Sequence, residues 1–274
     1  MLTDGRIERW LREDVGHHDV TNDVPGETTG RLVATEDGVA AGIAAAARVF
    51  DYLGIDAEAG VETGDRVVAG EAVLRVAGPA RAVLRGERVA ANVAGHASGI
   101  ATRTARAVRR VREVSDDVAV AGTRKTTPGL RGIEKRAVAA GGGDTHRLDL
   151  SHAVIVKDNH VAELGLDGAI DRVRERASFT TPVEVEVETP EAGPRAAAAG
   201  ADIVLFDNLA PEAVERGVAS LPDDVLAEAS GGITLDTVAE YAGTGVDAIS
   251  MGSLTHSAPA LDYSFRLASA GPKG

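Results

Sequence analysis

The sequence lacks cysteine altogether, and this absence excludes several kinds of site. A disulfide framework, a thiolate metal site and a cysteine nucleophile all require that side chain. Aromatic residues make up only 3% of the 274 residues, so alanine, valine, leucine and isoleucine must build the core. No apolar run reaches the roughly 18 residues that a membrane-spanning helix needs, and the first ten residues carry charges where a signal peptide has an apolar stretch. We therefore expect a soluble, cytoplasmic protein that does not associate with membranes.

Basic charge is also in the minority, with 29 basic against 42 acidic side chains and a formal net charge of −13. Nucleic-acid binding relies on basic surface, so we expect no nucleic-acid partner. A local basic pocket on an acidic protein can still bind an anionic substrate. Among the basic residues lysine is the rarest, and it occurs only at positions 125, 135, 157 and 273. This composition is typical either of adaptation to high salt or of a GC-rich genome, and the sequence does not separate the two.

The pattern of predicted strands and helices changes near residue 100. The N-terminal part mixes short strands with helices, of which the segments 44–53 and 81–93 are the clearest. Beyond it, helical stretches alternate with strands, the pattern of a parallel β/α sheet or barrel. The strands are expected at 118–121, 153–156, 183–187, 202–206, 225–229 and 247–249, and the helices at 102–114, 130–140, 161–177, 211–219 and 235–242. A complete barrel needs about 250 residues, so this span predicts an incomplete one.

Polar side chains follow each predicted strand of the second part. In a parallel barrel the carboxyl ends of all strands meet at one face, so these groups should line one pocket. Its inventory of basic side chains, carboxylates and glycine turns suits a ligand with several anionic groups and hydroxyls or a divalent cation. The segments are Thr123–Gly129, Lys157–His160, Glu184–Glu188, Asp207-Asn208, Ser230–Gly232 and Met251–Ser253.

Each segment also has a plain structural explanation. Ser230–Gly232 could form only a tight turn, although such turns also present backbone N–H groups to anions. Asp207-Asn208 could cap the following helix, and the alternating acids of Glu184–Glu188 could form a solvated strand face. The glycine run Gly141–Gly143 is either a linker or a mobile loop that brings His146 and Arg147 over the pocket. The remaining histidines are interpreted as structural or surface residues: His17, His18, His96, His152, His160 and His256.

Taken together, these motifs resemble the quinolinate phosphoribosyltransferase family over nearly the whole chain. The most specific features are the run Thr123-Arg124-Lys125-Thr126-Thr127-Pro128-Gly129 and the run Lys157-Asp158-Asn159-His160 about thirty residues later. Further matching segments are Gly38–Gly42, Gly78–Arg81, Gly86–Asn92, Ser98–Thr102, Glu134-Lys135, His146-Arg147 and Leu254–Ser257.

The resemblance implies an α/β fold with two domains. An N-terminal α/β sandwich over residues 1–100, completed by residues 254–274, would join an open, incomplete barrel of about seven strands over residues 101–253. It also implies a homodimer, or a multiple of dimers, in which Arg88 reaches the active site of the partner subunit.

The resemblance further implies the roles of individual residues. Quinolinate would be bound by Arg88, Thr123, Arg124, His146, Arg147 and Lys157. Phosphoribosyl pyrophosphate would be bound by Lys125, Glu186 and Asp207, and its 5′-phosphate by Ser230, Gly231, Gly232, Met251, Gly252 and Ser253. Lys125, Lys157, Glu186 and Asp207 would be catalytic, and Glu186 and Asp207 would hold Mg²⁺.

The implied reaction transfers phosphoribose to quinolinate with loss of CO₂ and gives nicotinate mononucleotide for NAD biosynthesis. One alternative is a related phosphoribosyltransferase that uses another ring, such as nicotinate; release of CO₂ would separate the two. A second alternative is a non-catalytic carrier, because Val61–Pro79 resembles a biotinyl or lipoyl strand pattern. That alternative needs a lysine on a hairpin tip, and no lysine precedes Lys125.

Overall fold

The computed structural model describes residues 2–268 as an alternation of short strands and helices. The strands are β1 Glu27–Ala34, β2 Gly38–Val39, β3 Asp56–Ala59, β4 Arg66–Val67, β5 Ala72–Pro79, β6 Ala119–Ala121, β7 Val154–Val156, β8 Val183–Val187, β9 Ile203–Asp207, β10 Leu226–Ser230, β11 Ala248–Ser250 and β12 Tyr263–Leu267. The helices are α1 Asp4–Val15, α2 Ile43–Tyr52, α3 Ala80–Arg112, α4 Arg131–Ala140, α5 Asp158–Leu164, α6 Leu166–Arg174, α7 Ala192–Ala198, α8 Pro211–Val218, α9 Val238–Ala242 and α10 Ser253–His256.

The N-terminal strands form an antiparallel sheet in the order β12-β1-β5-β3. Side chains of a strand point alternately to the two faces of its sheet. Leu32 and Leu74 are accordingly buried in the core with Phe50 of α2, whereas Arg31 and Arg75 are exposed. The last described strand of the chain therefore pairs with the first strand.

The six strands of the second part form one parallel sheet in the order β6-β11-β10-β9-β8-β7. Within the described residues, β6 and β7 do not pair with each other, so the barrel is open. The incomplete barrel expected from the sequence is confirmed, with six strands in this sheet where the family resemblance implies about seven.

The two faces of the parallel sheet differ in character. Val185, Val204 and Phe206 lie on the face that packs into the hydrophobic core of this part of the chain. The opposite face carries the intervening residues, and among them are the carboxylates Glu184 and Glu228, each only 2% exposed. Parallel strands usually read as continuous apolar runs because both faces are buried in apolar surroundings. The buried carboxylates on one face of this parallel sheet therefore indicate that this face has a chemical role.

The described chain divides into two compact units. One comprises residues 2–103, 132–142 and 258–268, and the other comprises residues 104–131 and 143–257. The predicted domain limits, 1–100 with 254–274 and 101–253, remain a prediction. Residues 269–274 of the predicted C-terminal addition lie outside the described residues.

Helix α3 corrects the expectation of two separate helices over 81–93 and 102–114. It runs without a break for 33 residues, and the predicted domain limit at residue 100 falls inside it. The helix continues through Gly95 and Gly99, whose missing side chains allow close packing against residues 259–261. The Leu261 N–H donates to the Gly95 carbonyl over 2.9 Å, and a Cβ at Gly99 would lie 2.0 Å from the Pro259 carbonyl oxygen.

Replacing Gly99 with alanine is expected to destabilise the protein by about 1–3 kcal/mol or more, the range for forcing extra volume into a packed site. Backbone rather than a flexible side chain blocks the new methyl group, so α3 or the 258–261 segment must move. Gly168→Ala is the matched control. Gly168 lies on an exposed helix surface, where an added Cβ would be 3.8 Å from Leu164 Cβ, an ordinary contact distance, and alanine favours helices over glycine. Equal urea-unfolding midpoints for the two variants would contradict this packing argument.

The predicted helix over 161–177 is also corrected, because the structure forms α5 and α6 with Gly165 between them. Gly165 adopts a φ of 71°, a conformation that glycine accepts and that interrupts a helix. None of the described helices combines the length and apolar character needed to cross a membrane.

Candidate active site

The carboxyl ends of all six parallel strands line one cavity of about 450 Å³. Strands β6 to β11 contribute to it in or just after their last residues, so residues far apart in sequence converge as parallel topology predicts. The cavity contains nearly the whole predicted set: Thr123, Arg124, Lys125, His146, Arg147, Lys157, Glu186, Asp207, Ser230, Gly231, Gly232, Met251, Gly252 and Ser253.

The segment after β6 is held in place by hydrogen bonds that leave its basic side chains at the cavity. The Lys125 N–H donates to Thr123 Oγ1 over 3.1 Å, and the Thr255 hydroxyl donates to the Lys125 carbonyl over 2.6 Å. A Cβ at Gly252 would lie 2.9 Å from Lys125 Cδ, so glycine there makes room for the lysine side chain. Backbone anchoring thus presents both Arg124 and Lys125, which are exposed, to an incoming anion.

Two neighbouring strands bring carboxylates to the same wall. Glu186 of β8 pairs in register with Leu205 of β9, and Asp207 follows two residues later on the same face. The Lys157 ammonium at the end of β7 bonds Glu186 Oε2, while the Asn208 amide donates to Asp207 Oδ2 over 2.6 Å. Carboxylate oxygens are the ligands that Mg²⁺ prefers, and a site at substrate phosphates needs only one or two of them. Glu186 and Asp207 therefore fit the predicted role.

The turn after β10 has a left-handed backbone that favours glycine, and at Gly231 it leaves no room for a side chain. Gly231 and Gly232 have φ values of 88° and 64°, and a Cβ on Gly231 would lie 2.4 Å from Asn208 Oδ1 and 2.7 Å from the Asn208 nitrogen. Ser253 also lines the cavity, and its Oγ is buried and lacks a hydrogen-bond partner among the described residues. A buried hydroxyl without a partner is costly unless a ligand supplies one. These features support the predicted phosphate site.

His146 lies between two buried carboxylates. Its Nε2 is 3.1 Å from Glu228 Oε2 and 3.4 Å from Glu184 Oε2. Burial disfavours the charged ring, but the two carboxylates outweigh burial and raise the pKa of His146 above its usual value. Among the described residues this is the one group of three side chains with the composition of a metal site. We interpret it as an ion cluster, because at these distances a protonated Nε2 can donate to the two carboxylates directly.

Arg147 is 8% exposed and its Nε donates to the Asp149 carbonyl over 3.2 Å. Burial and the positive charge of Arg124 lower its pKa, yet a guanidinium stays charged in proteins. Two guanidiniums held near each other repel, and a bound anion relieves that repulsion. Arg pairs with carboxylates in a bidentate manner, so this wall of the cavity suits a carboxylate ligand.

Arg88, the remaining predicted ligand, lies on α3 in the other unit and is exposed. Arg85 and Arg81 of the same helix pair with Asp19 and Asp23 at 2.6 and 3.8 Å. Within the described part of the chain, Arg88 forms no such ion pair, so its charge is available to a ligand or a partner. Its contribution across a dimer interface remains a prediction.

Two family models match the chain in succession. The N-terminal domain of quinolinate phosphoribosyl transferase matches residues 18–98, and the C-terminal domain of the same protein matches residues 100–266. The chain belongs to the quinolinate phosphoribosyl transferase family.

Relatives within the family support the assignment over the full length. The chain is 43% identical to the probable nicotinate-nucleotide pyrophosphorylase [carboxylating] of Methanothermobacter thermautotrophicus over 95% of this chain and 97% of the relative. It is 42% identical to the human nicotinate-nucleotide pyrophosphorylase [carboxylating] over 95% and 90% of the two chains. The crystal structure of NadC from Streptococcus pyogenes superposes with a TM-score of 0.90 at 40% identity and covers 98% of both chains.

Several residues that line the cavity were not predicted from the sequence. His256 was interpreted as structural or surface, but the structure places it in the lining. Glu228 was not singled out at all. Its signal was available, because a lone acid two residues before Ser230 in the strand Leu-Ala-Glu-Ala-Ser lies on the same face as that serine. Ile155, Leu205, Ile233, Thr234 and Ser250 complete the lining.

Proposed function

We propose that this protein is a decarboxylating quinolinate phosphoribosyltransferase. It transfers phosphoribose from phosphoribosyl pyrophosphate to quinolinate, and the products are nicotinate mononucleotide, pyrophosphate and CO₂. The observation that carries the proposal is the convergence of five basic side chains and two carboxylates on one cavity of a chain that matches the family throughout: Arg124, Lys125, His146, Arg147, Lys157, Glu186 and Asp207.

The chemistry needs binding and electrostatic stabilisation rather than a protein nucleophile. The pyridine nitrogen forms a bond to ribose C1 as the bond from C1 to pyrophosphate breaks, and positive charge develops on the sugar. Glu186 and Asp207 stabilise that charge, and Lys125 neutralises the departing pyrophosphate. The electron pair of the C2–carboxylate bond then stays on C2 as CO₂ leaves, the positive charge of the adjacent ring nitrogen stabilises the resulting ylide, and a proton from water adds to C2.

Arg124, Arg147 and His146 bind the two carboxylates of quinolinate, with Lys157 between this subsite and the sugar. The turn at Ser230–Gly232 and the segment Met251–Ser253 hold the 5′-phosphate. Glu186 and Asp207 would hold the Mg²⁺ that accompanies phosphoribosyl pyrophosphate, and the ion would supply positive charge to neutralise the phosphates. The protein acts as a homodimer, or a multiple of dimers, in which Arg88 completes the partner's quinolinate subsite. Its cytoplasmic location remains a prediction.

The direct test is an assay of the purified chain with phosphoribosyl pyrophosphate, Mg²⁺ and quinolinate labelled in the C2 carboxylate. We expect labelled CO₂ and nicotinate mononucleotide to form in equal amounts. Nicotinate in place of quinolinate is the matched control, since it lacks the C2 carboxylate. Turnover of nicotinate at a comparable kcat/KM, or nucleotide formation without CO₂, would overturn the proposal.

Replacing Glu186 with glutamine is expected to lower kcat and kcat/KM together by about 10- to 100-fold, while the KM for quinolinate stays close to its original value. The change removes a charge and keeps the shape, and a hydrogen bond to a charged group contributes about 1.5–3 kcal/mol, or about one to two decades. An interaction made mainly in the transition state lowers both constants equally. Steady-state kinetics with each substrate varied in turn measure the effect, and a change confined to the KM for quinolinate would place Glu186 elsewhere.

A further inference from the structure

The two buried carboxylates beside His146 have no role in the function proposed above. Glu184 and Glu228 are each 2% exposed, and each has an Oε1 atom with no hydrogen-bond partner among the described residues. A buried carboxylate is costly unless it is paired. The positive group near both of their Oε2 atoms is the His146 ring. Two carboxylates are thus buried at a cost in free energy beside the same ring. This indicates that the position and the charge of the His146 ring are important for the function of the site.

The backbone around His146 is constrained as strictly as its ring. Asp144 joins the edge of β6: its N–H donates to the Val120 carbonyl over 2.7 Å, and its carbonyl accepts from the Gly122 N–H over 2.9 Å. The Asp144 carboxylate accepts the His146 N–H. His146 itself has a φ of 48°, in the left-handed region that non-glycine residues rarely adopt. Such strain persists where the surroundings enforce it, and it concentrates at functional sites.

The chemistry of the imidazole ring then limits how His146 can bind an anion. An ionised carboxylate accepts hydrogen bonds only, so Nε2 carries a proton when it faces the ionised Glu184 and Glu228. Burial raises the pKa of Glu184, and the hydrogen bond from His146 opposes that rise and favours the ionised carboxylate. The ring has one other nitrogen, Nδ1, and it can donate to an anionic substrate only if it also carries a proton. A ring that donates from both nitrogens is an imidazolium. The other titratable or charged groups that face or share this space are the carboxylates Asp144, Glu186 and Asp207 and the basic side chains Arg124, Lys125, Arg147, Lys157 and His256.

We propose that Glu184 and Glu228 are positioning residues that hold His146 as an imidazolium, with Nε2–H committed to the two carboxylates and Nδ1–H left to donate to a carboxylate of the substrate. The assignment of that substrate as quinolinate rests on the proposed function, but the charge state of the ring does not. The two glutamates act through His146 and do not contact the reacting atoms. The cluster keeps a cation in the subsite at pH values where a free histidine has lost its charge.

Nitrogen-15 spectra of the histidine-labelled full chain test the charge state without substrate. His146 is identified as the signal that disappears in His146→Asn. In the wild-type protein we expect both ring nitrogens of His146 to remain protonated at pH 8, about 1.5 units above the usual histidine pKa. A neutral tautomer of His146 at pH 8 would overturn the proposal. This measurement also decides the matter if a substituted protein does not fold.

Kinetics of the Glu184→Gln/Glu228→Gln protein test the positioning role. A histidine of ordinary pKa is only about 3% protonated at pH 8, so the KM for quinolinate should rise about 30-fold at that pH and much less at pH 6. The KM for phosphoribosyl pyrophosphate should change little. Glu215→Gln on an exposed face of α8 is the matched control. An unchanged pH profile in a folded double variant would refute the role, whereas a wild-type protein inactive on quinolinate would refute the proposed function instead.

Discussion

Arg147→Ala is expected to lower kcat/KM for quinolinate by about 1.5 to 3.5 decades while the chain remains folded. Arg147 is buried in the cavity wall beside Arg124, and removal of one partner from a desolvated charge pair costs about 2–5 kcal/mol, which corresponds to that loss of rate. Arg124→Ala is expected to behave similarly. Arg124 is exposed in the structure, so its loss should leave the core unaltered.

The controls separate charge from geometry and from stability. Arg147→Lys keeps the charge but loses bidentate pairing, so its activity should lie between those of wild type and Arg147→Ala. Arg172→Ala removes an exposed arginine from α6 of the same unit and should leave kcat/KM unchanged. Thermal unfolding of each variant checks the fold. An Arg147→Ala protein with the kcat/KM of wild type would remove Arg147 from the carboxylate subsite.

Mixed dimers of Arg88→Ala and Lys157→Ala are expected to recover activity that neither variant has alone. If Arg88 completes the partner's site, each homodimer lacks one group in both of its sites and should be nearly inactive. In a mixed dimer one site collects both defects, while the other has an intact Arg88 and an intact Lys157. By two-fold symmetry such a dimer keeps about half of the activity. Random exchange of equal amounts makes about half of the dimers mixed, so the pool should regain about a quarter of wild-type activity.

The matched control mixes Arg124→Ala with Lys157→Ala. Arg124 and Lys157 line the same cavity of one chain, so every site in that mixture carries at least one defect and no recovery is expected. Subunit exchange is confirmed with differently tagged chains. If exchange occurs and the Arg88→Ala and Lys157→Ala pool stays inactive, Arg88 serves its own subunit or is only a solvated helix charge.

The residues of the cavity could be predicted from the sequence because of a general property of parallel sheets. Every parallel strand directs its carboxyl end to the same face, so a polar group after a strand can be assigned to the site without knowledge of the neighbouring strand. The structure brings Thr123, Lys157, Glu186, Asp207 and Ser230 together in this way. The strand limits in this part were predicted to within about one residue, since short apolar runs between helical segments have few other interpretations.

What only the tertiary structure decided depends on contacts between segments distant in sequence. Gly95 and Gly99 read locally as helix breakers, yet α3 continues through them because the backbone of residues 259–261 packs against their missing side chains. Glu228 reads locally as one acid in a short strand. Its relation to His146 arises because Asp144 joins β6 and the sheet places Glu184 and Glu228 around the ring. Local periodicity assigns a side chain to a face, but only the packed sheet determines which charges on that face lie within bonding distance of each other.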